Sequence, residues 1–177
     1  MKALRQSRTS SASTSTTSAP PRASSWAAPP EFYIDENMHG RTLRRFIADL
    51  GYRVHSPASV FGRDRLEQGV RDEDWLPVIG SRGWVVFGRD QNILRREVEL
   101  RALLDAKVHM FLFPGDVLRQ EIIDLVQANL GAICALASAR QPNVYWLRRD
   151  RVVNYEQRRA ELARRRPAAV GRRPPAG

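Results

Sequence analysis

The chain has 177 residues, 42% of them hydrophobic and 27% charged, which suits one α/β domain and is short for two. That balance excludes a wholly disordered or fibrous chain, and no apolar run reaches the roughly 18 residues of a membrane-spanning helix. Counting Lys and Arg against Asp and Glu, residues 1–30 carry +4 and residues 151–177 carry +6 of the net +10, so Glu31 to Asp150 is neutral and the basicity belongs to the ends.

Residues 1–30 are dominated by Ser, Thr, Ala and Pro, as in Ser10-Ser11-Ala12-Ser13-Thr14-Ser15-Thr16-Thr17, with no hydrophobic period that buries a face. A disordered leader is expected there. It lacks the apolar centre of a secretory signal, so a cytoplasmic protein is expected, although its Arg and Ser content and lack of acid also suit a transit peptide. Phe32-Tyr33-Ile34 reads as a short strand ending at Asp35. Leu43, Phe46, Ile47 and Leu50 fall at i, i+3, i+4 and i+7, which predicts a helix closed by Gly51. Tyr52 to His55 reads as a second strand, Asp74 to Ser81 as a helix with Trp75, Leu76 and Ile79 on one side, and Trp84 to Phe87 as a third strand. Ile93 to Leu104 is again helical, and Val108 to Phe113 is the most apolar strand, closed by Pro114-Gly115. Asp116 is expected to open a long helix carrying Leu118, Ile122, Leu125 and Val126, and Val144 to Leu147 a final strand. Glu156 to Arg166 suits a charged helical turn or two inside an Arg-rich tail over 154–177, leaving 31–153 as the folded domain. Strands alternating with helices imply a mainly parallel sheet covered on both faces, whose working groups lie at the carboxyl ends of its strands.

Two short strands lead into aspartates at that rim, in Tyr33-Ile34-Asp35-Glu36-Asn37 and in Val86-Phe87-Gly88-Arg89-Asp90. A third acidic cluster, Asp72-Glu73-Asp74, precedes the third strand and approaches from the connection. Three converging carboxylates repel one another unless a divalent cation lets all stay ionised, and Mg²⁺ suits them because it keeps waters and so stays open to a phosphate. Each aspartate alone is also a good helix N-cap, so capping stands beside ligation for Asp35, Asp72 and Asp90. One small polar residue satisfies a cap, however, and the crowding of Asp35, Glu36 and Asn37 exceeds that need. His39, His55 and His109 are scattered, and Cys134 sits in the apolar period of the long helix, which argues against nucleophilic catalysis. A receiver-like phosphoacceptor domain needs a lysine after a late strand, whereas Lys2 and Lys107 are the only lysines and Lys107 precedes its strand.

Arg41, Arg44 and Arg45 early in the first helix, with Arg89, Arg95 and Arg96 flanking Asp90, border the acidic centre and could take phosphates of a nucleic-acid backbone without reading bases. A solvated helix face is the alternative for each. Arg164-Arg165-Arg166 and Arg172-Arg173 could add nonspecific nucleic-acid affinity that falls with salt, or do nothing.

The order Ile34-Asp35-Glu36-Asn37, Asp72-Glu73-Asp74-Trp75-Leu76, Gly83 to Asp90, and Glu99-Leu100-Arg101-Ala102-Leu103 resembles the PIN-like domains related to VapC toxins, over about Phe32 to Leu147. The resemblance implies a three-layer α/β/α sandwich and an endoribonuclease that uses Mg²⁺ or Mn²⁺. It also implies an RNA substrate and a cognate antitoxin, with a homodimer left open. Asp35 matches the family's first-strand aspartate, Asp72 the acid before the tryptophan-bearing helix, and Asp90 the aspartate after the third strand. Glu99 matches a further acidic position, with Glu97 as its competitor. Such domains often carry Thr or Ser two residues before the third acid, where this chain has Gly88. That departure keeps a second expectation in play, a noncatalytic PIN-like module that binds RNA or a protein.

Overall fold

Six short strands lie in one sheet, ordered β2-β1-β3-β4-β5-β6. They are β1 (Phe32–Ile34), β2 (Val54–His55), β3 (Val85–Gly88), β4 (His109–Leu112), β5 (Val144–Leu147) and β6 (Val152–Asn154). Every neighbouring pair is parallel except β5 with β6. The computed structural model describes residues 19–35, 38, 40–67, 70–89, 94, 97–139 and 142–165.

Among the described residues six α-helices connect the strands and a seventh follows β6: α1 (Gly40–Asp49), α2 (Pro57–Phe61), α3 (Arg63–Glu67), α4 (Asp72–Ser81), α5 (Glu97–Ala106), α6 (Arg119–Ala137) and α7 (Tyr155–Arg165). None is long and apolar enough to cross a membrane. The strands read as unbroken apolar runs because both sheet faces are covered, and period two then sorts their side chains. Phe32, Ile34, Val85, Phe87, Phe111, Tyr145 and Leu147 enter one core with Leu43 and Ile47 of α1 and Ile122, Val126 and Leu130 of α6. Tyr33, Val86, Met110, Leu112, Val144 and Trp146 enter the other with Trp75, Leu76 and Ile79 of α4 and Leu103 of α5. This is the expected three-layer α/β/α sandwich with a mainly parallel sheet.

Several boundaries differ from the sequence reading. The second strand is confined to Val54–His55 because Tyr52 is turned inward: its hydroxyl donates to Pro21 O at 3.0 Å and accepts from Trp26 Nε1 at 2.9 Å. The same bonds hold residues 21–26, counted with the disordered leader, on the domain, where Ala23 N also donates to Leu50 O at 3.0 Å. Residues 1–18 lie outside the described set. Asp116 does not open the long helix. Arg89 Nη2 donates to Gly115 O and to Val117 O at 3.1 Å, which keeps those carbonyls out of helical pairing, and α6 begins after Leu118, whose N–H donates to Glu121 Oε2 at 2.9 Å. At the other end the chain folds on past Val153: β6 adds an antiparallel edge, Tyr155 of α7 stacks on Trp146 with centroids 6.2 Å apart, and Arg148, Arg151 and Arg158 converge on Glu161.

Helices α4 and α5 approach so closely that a Cβ at Gly80 would lie 1.9 Å from Ala106 O and 2.8 Å from its carbonyl carbon. The obstacle is backbone, so neither helix can yield locally. Gly80→Ala should therefore destabilise the fold by about 1–3 kcal/mol in urea unfolding, despite alanine's better helix propensity; unchanged or raised stability would contradict this packing.

Ahead of β1, Glu31 Oε2 meets His55 Nε2 at 2.8 Å and Oε1 accepts from Arg53 at 3.1 Å. The His55 hydrogen bond, with Arg53 beside it, holds the Glu31 carboxyl below its ordinary 4.5. A depressed folded-state pKa gives stability that is present above the unfolded value and lost as pH falls through the folded one. Glu31→Gln should thus lower the melting temperature at neutral pH, and its deficit should close as pH drops below 4.5. A deficit that stays constant into acid would contradict the pairing.

Candidate functional site

Parallel pairing fixes where the acids stand. Asp35 follows β1 directly, and its N–H donates to Phe87 O at 3.0 Å, which seats it at the carboxyl end of β1 beside the end of β3. Asp35 O then accepts from Met38 N at 3.1 Å, turning the chain toward α1. On the β3 side, Gly88 O accepts from Phe113 N at 3.0 Å and Arg89 leaves the sheet. Asp90 comes one residue later and lies outside the described residues, as do Glu36, Asn37, Arg95 and Arg96.

Strand order reverses at β1. The chain reaches β2 through α1 over one face and β3 through α4 over the other, so the connections diverge and leave a crevice at the carboxyl rim. A cleft of about 270 Å³ opens there, bounded by Ile34, Asp35, Met38, Gly40 and Arg44 and by Ser56, Pro57 and Ala58 at the start of α2. The sequence reading gave residues 56–58 no role. Their signal was Ser56-Pro57-Ala58-Ser59, a helix start in which Ser56 N donates to Ser59 Oγ at 2.8 Å.

Asp72 is the first residue of α4, and its Oδ1 accepts from Trp75 Nε1 at 2.8 Å. The Trp75 ring stacks on Tyr33 at 5.2 Å and 22°, so the Asp72 carboxylate is tied through an indole to the strand that ends at Asp35. Helix capping does not explain either acid. Arg71 holds the N-cap position of α4, and Asp35 lies five residues before α1 begins. Trp75, Trp84 and Trp146 are all buried, so they serve the core and do not stack on bases.

Glu99 is half-buried in the first turn of α5. Helix α4 leads into β3 and α5 leads out of it to β4, so both run from the carboxyl rim back to the amino rim, and Asp72 and Glu99 start at the rim that carries Asp35. Among the described residues no group of three or more His, Cys, Asp or Glu is gathered closely enough to hold a metal ion, and that set lacks Asp90. Gly88 is not required by space: a Cβ there would meet Leu112 Cδ2 at 3.6 Å, an ordinary contact.

The arginines expected at the rim divide by environment. Arg89 Nη2 is engaged by the Gly115 and Val117 carbonyls, clamping the loop after β4 against the end of β3. Arg45 forms an exposed pair with Asp49 at 3.8 Å, and Arg41 is exposed. Arg44 is half-buried in the cleft wall. Cys134 stays a core residue: its Sγ lies 3.5 Å from Tyr52 Oη, and burial pushes the thiol up, away from a reactive thiolate.

Residues 30–115 match the family model described as "PIN like domain". Over 122 residues the chain is 27% identical to "Putative ribonuclease VapC45" of Mycobacterium tuberculosis, covering 68% of this chain and 88% of that protein. No solved structure gives a significant match.

Trp75→Phe keeps an aromatic ring over Tyr33 but removes the N–H donated to Asp72, along with part of the indole's packing. A hydrogen bond to a charged group contributes about 1.5–3 kcal/mol, so this variant should lose at least that much stability in chemical denaturation, the lost packing adding to it. Wild-type stability would mean the Trp75–Asp72 bond does not hold the carboxylate.

Proposed function

We propose that the chain, whose residues 30–115 match the PIN-like domain family, is a VapC-type, metal-dependent endoribonuclease, the toxin of a toxin–antitoxin pair. The observation that carries this reading is the seat of Asp35, at the carboxyl end of β1, in a cleft where strand order reverses. Asp72 and Glu99 begin their helices at the same rim, and the sequence puts Asp90 just beyond β3.

The donor chemistry fits a hard divalent cation, Mg²⁺ or Mn²⁺, because these residues offer carboxylate oxygens and no thiolate. In this reading Asp35, Asp72 and Asp90 hold the ion, and Glu99 completes the acidic set. When bound, it supplies a water of lowered pKa and offsets charge on the phosphate oxygens. The chain's own residues position the groups. Asp35 is fixed by its main-chain bond to β3, Asp72 by the Trp75 indole, and the loop after β4 by Arg89. No covalent enzyme intermediate is needed, which agrees with the raised thiol pKa of Cys134. The substrate is RNA, gripped by its backbone through rim arginines, with Arg41, Arg45, Arg95 and Arg96 lending long-range attraction. A cognate antitoxin would restrain the activity in the cytoplasm.

Gly88 supports a second reading, a PIN-like module that binds without cutting, because no hydroxyl stands at that position to support the acids. Retained Mn²⁺ binding without cleavage of any RNA would favour it.

Asp35→Asn and Asp90→Asn should each reduce RNA cleavage to background and weaken Mn²⁺ binding by calorimetry, while the domain stays folded. Relief of carboxylate repulsion should also raise the melting temperature in the absence of metal. Cleavage that survives both substitutions defeats the assignment, and a lowered melting temperature would point to a purely structural role.

A further inference from the structure

We infer that Arg44 is the cleft's phosphate-binding residue, gripping one backbone phosphate of single-stranded RNA beside Asp35, whatever the bases. This rests on the ribonuclease reading for its substrate and on the geometry for its residue.

Arg44 sits in the first half of α1, where side chains lean toward the helix start. Its guanidinium lies back over Gly40: Cζ and Nε are each 3.9 Å from the point a Cβ at Gly40 would occupy, and Ile34 Cγ2 is equally close to it. That places the charge on the wall that also carries Asp35. Arg44 makes no hydrogen bond or ion pair with any described residue, whereas Arg45 has Asp49 and Arg89 has two carbonyls. Arg41 has no described partner either, but it is exposed and does not line the cleft.

Arg44 as a residue is half-buried and shares the cleft wall with Ile34, Met38 and Pro57, so an anion in the cleft is less screened from it than from an exposed arginine. Its planar fork matches two phosphate oxygens. At about 270 Å³ the cleft falls below the roughly 300 Å³ at which pockets begin to enclose whole small-molecule ligands, which favours a phosphate over a nucleoside. Among the described residues no aromatic ring lines it, so none of them stacks on a base. The contact is therefore to the backbone and indifferent to sequence.

The test uses the full chain with Arg44→Ala, Arg44→Lys and, as a control of equal charge change, Arg65→Ala on the exposed face of α3. Binding of labelled single-stranded RNAs of several sequences is measured without divalent metal across a salt series, and cleavage is measured separately with Mn²⁺. Arg44→Ala should weaken binding about tenfold for every sequence and flatten the slope of log affinity against log salt by about 0.7, the signature of one lost phosphate contact. Arg44→Lys should restore the slope and only part of the affinity, and Arg65→Ala should match the wild type. Melting curves establish that each variant is folded. If Arg44→Ala binds like the wild type while the wild type cleaves RNA, this inference fails and the ribonuclease reading stands. If the wild type never cleaves but the Arg44 effect persists, the phosphate contact stands and the catalytic reading falls. A wild-type chain that binds no RNA overturns both.

Discussion

The parallel pairing of β1 with both of its neighbours is the constraint on which the site depends. Phe32 pairs with Val54 on one side and with Val85 on the other, all running the same way, so whatever follows β1 and β3 must emerge at one rim. Because α1 covers one face and α4 the other, the segments leaving that rim diverge, and a cleft forms between them rather than a filled surface. Alternation supplies the rest. With Phe32, Ile34 and Phe87 committed to one core and Tyr33 and Val86 to the other, a shift of one residue would exchange both cores, so the position of Asp35 is set by hydrophobic burial.

Around that fixed point the polar contacts limit motion. The indole of Trp75 serves two purposes, packing on Tyr33 and holding the Asp72 carboxylate, so a core residue orients a rim residue. Arg89 does the equivalent on the β3 side by drawing the Gly115 and Val117 carbonyls toward it, which delays the start of α6 until after Leu118. These are the tethers a hydrolytic centre requires, because reacting groups must be held against thermal spread before chemistry begins.

Most of the sheet was legible because its strands are unbroken apolar runs set between helical periods. Phe32-Tyr33-Ile34 and Val144 to Leu147 fall where the pattern puts them, and Gly51, with φ of 90°, closes α1 as its position after the apolar stripe implies. What escaped was structure specified by single polar contacts. Residues 21–26 look like part of a Ser- and Pro-rich leader until Tyr52 is seen to bond Pro21 and Trp26. Asp116 looks like a helix cap until Arg89 claims the carbonyls beside it. β6 is a three-residue edge between Arg151 and Tyr155, too brief to leave a period. At the site, the acids could be named from order and spacing, but sequence could not separate Arg44 from Arg41 and Arg45, since that difference is one of burial and of partners met only in the fold.

In the proposed function, acids far apart in the chain share one cation at the rim where β1 and β3 end. Anomalous diffraction from crystals of the full chain grown with Mn²⁺ tests it most directly. A manganese peak is expected about 2.0–2.3 Å from carboxylate oxygens of both Asp35 and Asp90, with Asp72 reaching the same ion directly or through water. Manganese bound only elsewhere, with the Asp35 and Asp90 side chains turned apart, would contradict it.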